Sequence, residues 1–457
     1  MDYRSFDAII RDKKPIHLCG IGGVSMRALA RYLHNRGAVV RGSDRDESNE
    51  TKKLEAMGIP VAIGHSEHNT DGAALVIRTA AVLDSNPDIV GARRDSIPVV
   101  ERAEAWGLIM TRYPSAVCIA GTHGKTTTTS MVATFTQAAG YDPTVMVGGD
   151  LPSIGGTLRI GGGSLMVAEA CEYKNSYHSF APSVAVILNV DREHLDFFSD
   201  TDDIIRSFRH FAELVPKDTG LVVVNRDDAN AMAAVDGLER PVMTFGSTEA
   251  ADVYCKNVRD VGGFYQADVW YRDSFYSRLR LSVPGRHNLM NALASAAVAI
   301  HLGTDPVAFE TGMEAYHGVG RRFEYRGELN GARLFDDYSH HPSEIAAALK
   351  AAREMRPQRV ICIFQPHTYS RTVSLLDDFA EALKAADVCI LADIYAAREV
   401  NTWGVTTDQL AALIPGAEAI HSFSGIVERI RSMARPGDII LTMGAGDVTT
   451  LQDLLRR

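Results

Sequence analysis

Val117-Cys-Ile-Ala-Gly-Thr-His-Gly-Lys-Thr-Thr-Thr-Thr129 decides how the rest of this chain is read. Residues 117–120 are a short apolar run of the kind that forms a buried strand. The run stops at Gly121, and Gly124-Lys125-Thr126 opens a segment with Met131, Val132 and Phe135 at helical spacing. Strand, glycine turn, Lys-Thr and helix together make a phosphate-binding loop. Backbone N–H groups of the turn and helix start face the anion, Lys125 adds a full charge, and a Thr hydroxyl can hold Mg²⁺. The residues expected to meet the nucleotide are Gly121, Thr122, His123, Gly124, Lys125, Thr126 and Thr127. The spacing is short: Thr122 and His123 alone separate Gly121 from Gly124-Lys125, where the general motif has about four residues.

At 457 residues the chain exceeds a single core, and its length suits roughly three domains. A hydrophobic share of 46% with 23% charged residues is that of a globular protein. No apolar run approaches the ~20 residues that span a bilayer. Met1-Asp-Tyr-Arg-Ser-Phe-Asp-Ala-Ile-Ile10 has acids where a signal peptide is basic. The expectation is a cytoplasmic protein without a membrane partner. A net charge of −10 argues against a general nucleic-acid binder and leaves room for small anionic ligands. Six cysteines are scattered without a CxxC pair, which favours buried, reduced thiols over a disulfide framework.

Upstream of the loop, Ile16-His-Leu-Cys19, Gly20-Ile-Gly22-Gly23 and residues 26–32 read as strand, turn and helix. A second strand, 38–41, ends at Ser43-Asp44. This is the start of a Rossmann-like unit whose acidic residue, Asp44, follows the first glycine by a little over twenty positions. Ser25 stands where the third glycine of the dinucleotide fingerprint belongs. A nucleotide diphosphate on the helix N-terminus therefore suits the turn better than NAD does. The pattern restarts around Arg112-Tyr-Pro114, the first expected boundary.

Downstream, a strand at 164–168 runs into Glu169-Ala-Cys-Glu172, and one at 184–188 runs into Asn189-Val-Asp-Arg-Glu-His194-Leu-Asp196. Ligands of parallel sheets bind beyond the carboxyl ends of the strands. Three strand ends thus deliver Lys125 and Thr126, Glu169 and Glu172, and His194 and Asp196 to one crevice. Mg²⁺ takes oxygen ligands, and Glu169 fits best; spacing alone leaves His194 open between ligand and structural residue. Residues 253–283 alternate as antiparallel strands. After them, Asn288 and Asn291 share a helix face, to read an adenine edge or, for one of them, to cap the helix. From Gly318-Val-Gly-Arg-Arg-Phe323 onward strands and helices alternate again. Loops there carry Asp336-Asp-Tyr-Ser-His-His-Pro342, Gln365-Pro-His-Thr-Tyr-Ser-Arg371 and Asp393-Ile-Tyr-Ala-Ala-Arg-Glu399. His340-His341 lacks the spacing and the thiolate of a zinc site.

The expected fold is α/β in three domains. Residues 1–112 form an N-terminal Rossmann-like domain. Residues 113–321 form a central P-loop-type ATPase with a parallel sheet plus antiparallel strands. Residues 322–457 form a C-terminal Rossmann-like domain.

The set Gly-Thr-His-Gly-Lys-Thr-Thr, Glu-Ala-x-Glu, Asn-Val-x-x-x-His-x-Asp, Gly-Arg-His-Asn-x-x-Asn, Gly-x-Gly-Arg-Arg-Phe and Asp-Asp-Tyr-x-His-His-Pro resembles the Mur ligase family, ATP-dependent amide-forming enzymes of the cell-wall peptide stem. Gly20-Ile-Gly-Gly23, the His-His-Pro loop, Phe364-Gln-Pro-His367 and Ile394-Tyr-Ala-Ala-Arg-Glu399 are most similar to its alanine-adding branch. The resemblance implies ligation of L-alanine to the carboxylate of UDP-N-acetylmuramate through an acyl phosphate, with ATP and Mg²⁺, in a monomer or homodimer. A same-family recycling ligase that attaches a whole tripeptide to that sugar nucleotide is the alternative. Carried over by residue, Lys125 holds the terminal phosphates, Thr126 a Mg²⁺, and Glu169 and His194 the Mg²⁺ side. His287, Asn288 and Asn291 match the adenine stretch, and Arg322 and Asp337 the ATP and domain-closure side. Gly20, Gly22, Gly23 and Asp44 fall to the UDP-sugar, and His341, His367 and Arg371 to the muramyl carboxylate and the amino acid. The chain departs from the family at Cys171 and Tyr173, where Asp and Ser are commoner, at Thr368, where an arginine is commoner, and in having no lysine in residues 206–213. The last agrees with the alanine-adding branch and leaves the ligands of a second Mg²⁺ open.

Overall fold

The computed structural model describes residues 1–194, 197–397 and 399–456. The described residues form an α/β protein with three sheets. By contacts the chain divides into two compact units, Met1–Lys125 with Tyr141–Gly148 and Thr157–Met243, and Thr126–Gly140 with Gly149–Gly156 and Thr244–Arg457.

The first unit opens with a parallel sheet of β1 (Pro15–Cys19), β2 (Val39–Asp44), β3 (Val61–Ile63), β4 (Leu75–Arg78) and β5 (Val99–Glu101), in the order β3-β2-β1-β4-β5. The order reverses at β1, which places a crevice at its carboxyl end. β1 is buried from Ile16 to Cys19. Strands covered on both faces read as continuous apolar runs, which is why this sheet was legible.

The central region supplies β6 (Ser115–Ala120), β7 (Thr144–Leu151), β8 (Gly156–Arg159), β9 (Leu165–Glu169), β10 (Val184–Ile187), β11 (Leu221–Asn225) and β12 (Val242–Phe245). β6 pairs in parallel with β9 on one side and β10 on the other. Lys125, Glu169 and His194 therefore follow three adjacent strands. β8 lies in a stretch whose glycines, Gly155-Gly156 and Gly161-Gly-Gly163, read in the sequence as a loop.

The second unit carries the antiparallel meander β13 (Val253–Val261), β14 (Phe264–Tyr271) and β15 (Ser274–Pro284). Gly285, at φ 98°, then turns the chain into the helix Arg286–His301. The last sheet comprises β16 (Glu324–Leu329), β17 (Ala332–Asp337), β18 (Val360–Phe364), β19 (Val388–Leu391), β20 (Glu418–Ala419) and β21 (Ile439–Met443), in the order β16-β17-β21-β18-β19-β20. Its β16–β17 pair is antiparallel and the other pairs are parallel.

The helix Lys125–Ala138 departs from the one-faced pattern, for Thr126 and every residue of 128–136 are buried. Buried hydroxyls need partners, and the backbone supplies them to Ser130, Thr134 and Thr136, while those of Thr128 and Thr129 have none among the described residues. Ser130 donates to the Thr126 carbonyl at 2.7 Å, Thr134 to Ser130 at 2.8 Å and Thr136 to Val132 at 2.7 Å. Among the described residues, no helix is long and apolar enough to cross a membrane.

Candidate active site

The turn after β6 exists because glycine occupies both positions of unusual backbone conformation. Gly121 sits at φ 151° and Gly124 at φ 83°, and a Cβ on Gly121 would stand 2.9 Å from the Leu188 Cβ. Asn189, just past β10, braces the loop from both sides. Its Oδ1 accepts the His123 N–H at 2.7 Å, its Nδ2 donates to the His123 carbonyl at 3.0 Å, and its carbonyl accepts from the Thr122 N–H at 3.1 Å. The Thr122 hydroxyl in turn accepts the Asp191 N–H at 2.9 Å. The sequence pattern marks Asn189 only as part of a strand end, and the structure gives it this bracing role.

Lys125 opens the helix and folds back over the turn. Its ammonium donates to the Gly121 carbonyl at 2.5 Å, the Thr122 carbonyl at 2.9 Å and Glu172 Oε1 at 3.0 Å. Burial would lower the Lys125 pKa, but Glu172, with Cys171, Glu193 and Glu169 behind it, outweighs burial and holds it above the usual lysine value. Burial likewise would raise Glu172, and Lys125 and His194 reverse that, leaving its pKa lowered. Both groups are charged at neutral pH.

Glu169 ends β9, and its Oε2 accepts the Gly148 N–H at 2.6 Å. His194 lies at φ 56°, its ring 4.7 Å from that of Tyr173 and its Nε2 3.5 Å from Glu172 Oε1. A non-glycine residue in the left-handed region costs about 1 kcal/mol or more and clusters at functional sites. Asp196, expected in the same crevice, lies outside the described residues. The donor set suits a hard cation, since carboxylate oxygens predominate and the single imidazole is the lesser donor.

At the first sheet, Gly20 and Ile21 donate to the Ser43 carbonyl at 2.8 and 2.9 Å. Asp44 Oδ2 accepts the Gly22 N–H at 2.7 Å. Gly23 starts the helix Val24–Asn35 with no side-chain cap, which leaves the first N–H groups of that helix without a side-chain acceptor, as an anion site requires. Beneath the turn, fully buried Asp88 accepts from the Ser66 N–H at 3.0 Å and sits 3.1 Å from His65 and 3.3 Å from His17. Nothing in the local sequence pattern announces that network.

In the second unit, Thr126 is buried and the Thr127 side chain hydrogen-bonds with Tyr316. Neither Asn288 nor Asn291 caps its helix: Asn288 Nδ2 donates to the Pro284 carbonyl at 2.7 Å, and Asn291 Nδ2 to Asn288 Oδ1 at 3.1 Å. The capping alternative therefore falls, and the two amides form one linked pair beside the exposed His287. Arg322 lies over the Tyr338 ring, 5.2 Å from its centre. Asp337 is buried, and it accepts the Phe323 N–H at 2.7 Å and the Ser339 N–H at 2.8 Å. Asp337 thus anchors the turn that carries Arg322, while burial pushes its pKa up against the pull of Arg322. His341 caps the helix Pro342–Glu354, its side chain accepting from the Ser343 N–H. His340 instead meets the Tyr338 carbonyl through Nδ1 at 2.9 Å. The two rings thus serve different elements. His367 stacks on Tyr395 with centres 5.6 Å apart. Burial, His340 and Arg371 push its pKa down to about 4. Arg371 follows on the short helix Tyr369–Ser374. Arg398 of the 394–399 motif lies outside the described residues. Five cysteines are buried as expected, but Cys171 is exposed, because it occupies the loop beyond β9 and not an apolar run.

Comparison with known proteins agrees with this arrangement. Residues 15–114 match the model described as "Mur ligase family, catalytic domain", residues 119–299 the "Mur ligase middle domain", and residues 321–446 the "Mur ligase, glutamate ligase domain". The UDP-N-acetylmuramate–L-alanine ligase of Caldanaerobacter subterraneus is 46% identical, with 95% of each chain covered. That of Clostridium novyi is 44% identical, with 97% of each covered. Among solved structures, the UDP-N-acetylmuramate-alanine ligase of Thermotoga maritima aligns with a TM-score of 0.80 at 29% identity, covering 97% of this chain and 98% of that one. A murein peptide ligase from Psychrobacter arcticus shares the fold at a TM-score of 0.70 and 22% identity, covering 97% and 98%. This three-domain α/β chain is an enzyme of the Mur ligase family.

Proposed function

We propose that the chain joins L-alanine to the carboxylate of UDP-N-acetylmuramate with cleavage of ATP to ADP and phosphate. The observation that carries this reading is likeness over 95% of the chain to a ligase of that name. A phosphate loop with a charged lysine and adjacent carboxylates supplies the chemistry such a ligase needs.

A carboxylate does not react with an amine in water, because it is a poor electrophile. In the proposed sequence a carboxylate oxygen bonds to the γ-phosphorus, the bond from that phosphorus to the bridging oxygen breaks, and ADP leaves. The alanine nitrogen then attacks the acyl carbon, loses a proton, and phosphate departs with its bonding electrons. Lys125, with the N–H groups of Gly124 and the helix start, meets the negative charge that builds on the transferred phosphoryl group, the Thr122 and His123 N–H groups being held by Asn189. Arg322 is assigned to the same purpose on its likeness to the family motif. Glu169 and His194, with the Thr126 hydroxyl one residue beyond Lys125, are the residues that would hold Mg²⁺. When bound, Mg²⁺ neutralises phosphate oxygens.

His287, Asn288 and Asn291 are assigned to adenine. Gly20, Gly22, Gly23 and Asp44 are assigned to the UDP-sugar, and His341, His367 and Arg371 to the carboxylate and amino acid. Residues 1–112, 113–321 and 322–457 are the proposed domain limits, in a cytoplasmic monomer or homodimer.

Isotope transfer tests the activation step. With ¹⁸O in the muramyl carboxylate, the phosphate released during ligation is expected to carry label. Unlabelled phosphate would refute the acyl phosphate.

A further inference from the structure

The ammonium of Lys125 has three hydrogens, and all are in use on Gly121, Thr122 and Glu172. It cannot receive a phosphate oxygen without surrendering a partner. The two carbonyls are neutral and belong to the loop itself, so Glu172 is the partner that a dianionic phosphate displaces. Glu172 is 2% exposed, and its Oε2 has no hydrogen-bond partner among the described residues. A carboxylate so enclosed and left without a counter-ion is strongly destabilising.

A replacement cation has ligands ready. Donor atoms of Glu172, Glu193 and His194 all lie within 4.8 Å of one another. His194 is held there in a left-handed backbone conformation, under the Tyr173 ring. The two carboxylates at that separation repel unless a cation joins them, the imidazole offers a further donor, and carboxylate oxygens select a hard divalent ion.

We propose that Glu172 changes counter-ion during nucleotide binding, from Lys125 beforehand to a divalent cation shared with Glu193 and His194 once phosphate has drawn Lys125 away. The proposal rests on the reading of residues 121–125 as a phosphate loop. It couples the loop to the metal. Nucleotide frees the ligands, and the cation stabilises the state in which Lys125 is turned toward phosphate.

The test separates nucleotide binding from metal binding. Binding of a fluorescent ATP analogue is measured in EDTA, and Mn²⁺ binding by electron paramagnetic resonance with a non-hydrolysable ATP analogue present. Glu172→Gln is expected to tighten analogue binding in EDTA, because Lys125 is released, and to lose one bound Mn²⁺ relative to the unsubstituted enzyme. Glu193→Gln is expected to leave binding in EDTA unchanged and to weaken that Mn²⁺ by about tenfold or more. A merely structural role would weaken both measurements together in Glu172→Gln, and that result overturns the proposal. So does unaltered Mn²⁺ binding in Glu193→Gln, which decides the matter if Glu172→Gln does not fold. Lys125→Ala tells the two readings apart. Analogue binding in EDTA that survives Lys125→Ala refutes the phosphate loop, whereas its loss beside unchanged glutamate variants refutes only the exchange.

Discussion

Gly148 and Glu169 are matched to each other. The glycine N–H donates to Glu169 Oε2 at 2.6 Å, and a Cβ on Gly148 would come within 2.7 Å of both carboxylate oxygens. The obstruction is the far end of a flexible side chain, so Gly148→Ala should fold with a near-normal melting temperature while Glu169 is turned aside. The expected result is a Mg²⁺ requirement raised by about tenfold or more. Magnesium titration of turnover, read beside thermal melting, checks it. An unchanged titration would remove Glu169 from the metal side.

Lys125→Ala should reduce ligation by about 10²-fold or more, the loss seen when one pre-positioned donor to a developing anion is removed. Steady-state kinetics with saturating substrates measures it directly. Near-normal turnover would sink the phosphate-loop assignment.

Asp337→Ala removes the acceptor of two backbone N–H groups in a buried turn. Losing a buried charged acceptor costs about 2–4 kcal/mol. Arg321 and Phe323, at φ 60° and 48°, depend on that anchor. Chemical denaturation should report the loss, and the KM for ATP should rise with the disordering of Arg322.

His367 should titrate near pH 4 in the folded protein, with nuclear magnetic resonance of the ring as the direct measurement. Its folded pKa lies below the unfolded value of 6.5. As pH falls the unfolded chain takes up the proton first, so the contribution of this site to stability is intact above 6.5 and is lost on the way down to about 4. A His367→Asn variant should lose part of the stability decline in that window. A ring that titrates at 6.5 or above would contradict the burial ascribed to it.

The sequence made the parallel strands easy to see and the site only partly so. Continuous apolar runs such as Val117–Ala120 and Val360–Phe364 are buried throughout, and such runs need no partner to be recognised. β8 was hidden, because glycines at 155 and 156 read as a turn, although 156–159 lies at the sheet edge beside β7. Lys125, Glu169 and His194 were placed by their positions at strand ends. Asn189, Gly148 and the bond between Glu172 and Lys125 were not, because each depends on residues 21 to 66 positions apart meeting in space. Amide direction was equally illegible. Asn288 turned out to donate to a carbonyl where a cap would have accepted.

Phosphate release with UDP-N-acetylmuramate and ATP, across a panel of amino acids and the stem tripeptide, bears most directly on the central claim. The expected result is release that depends on the sugar nucleotide and is fastest with L-alanine. Release that proceeds without any amine, or that the tripeptide supports better than L-alanine, would contradict it.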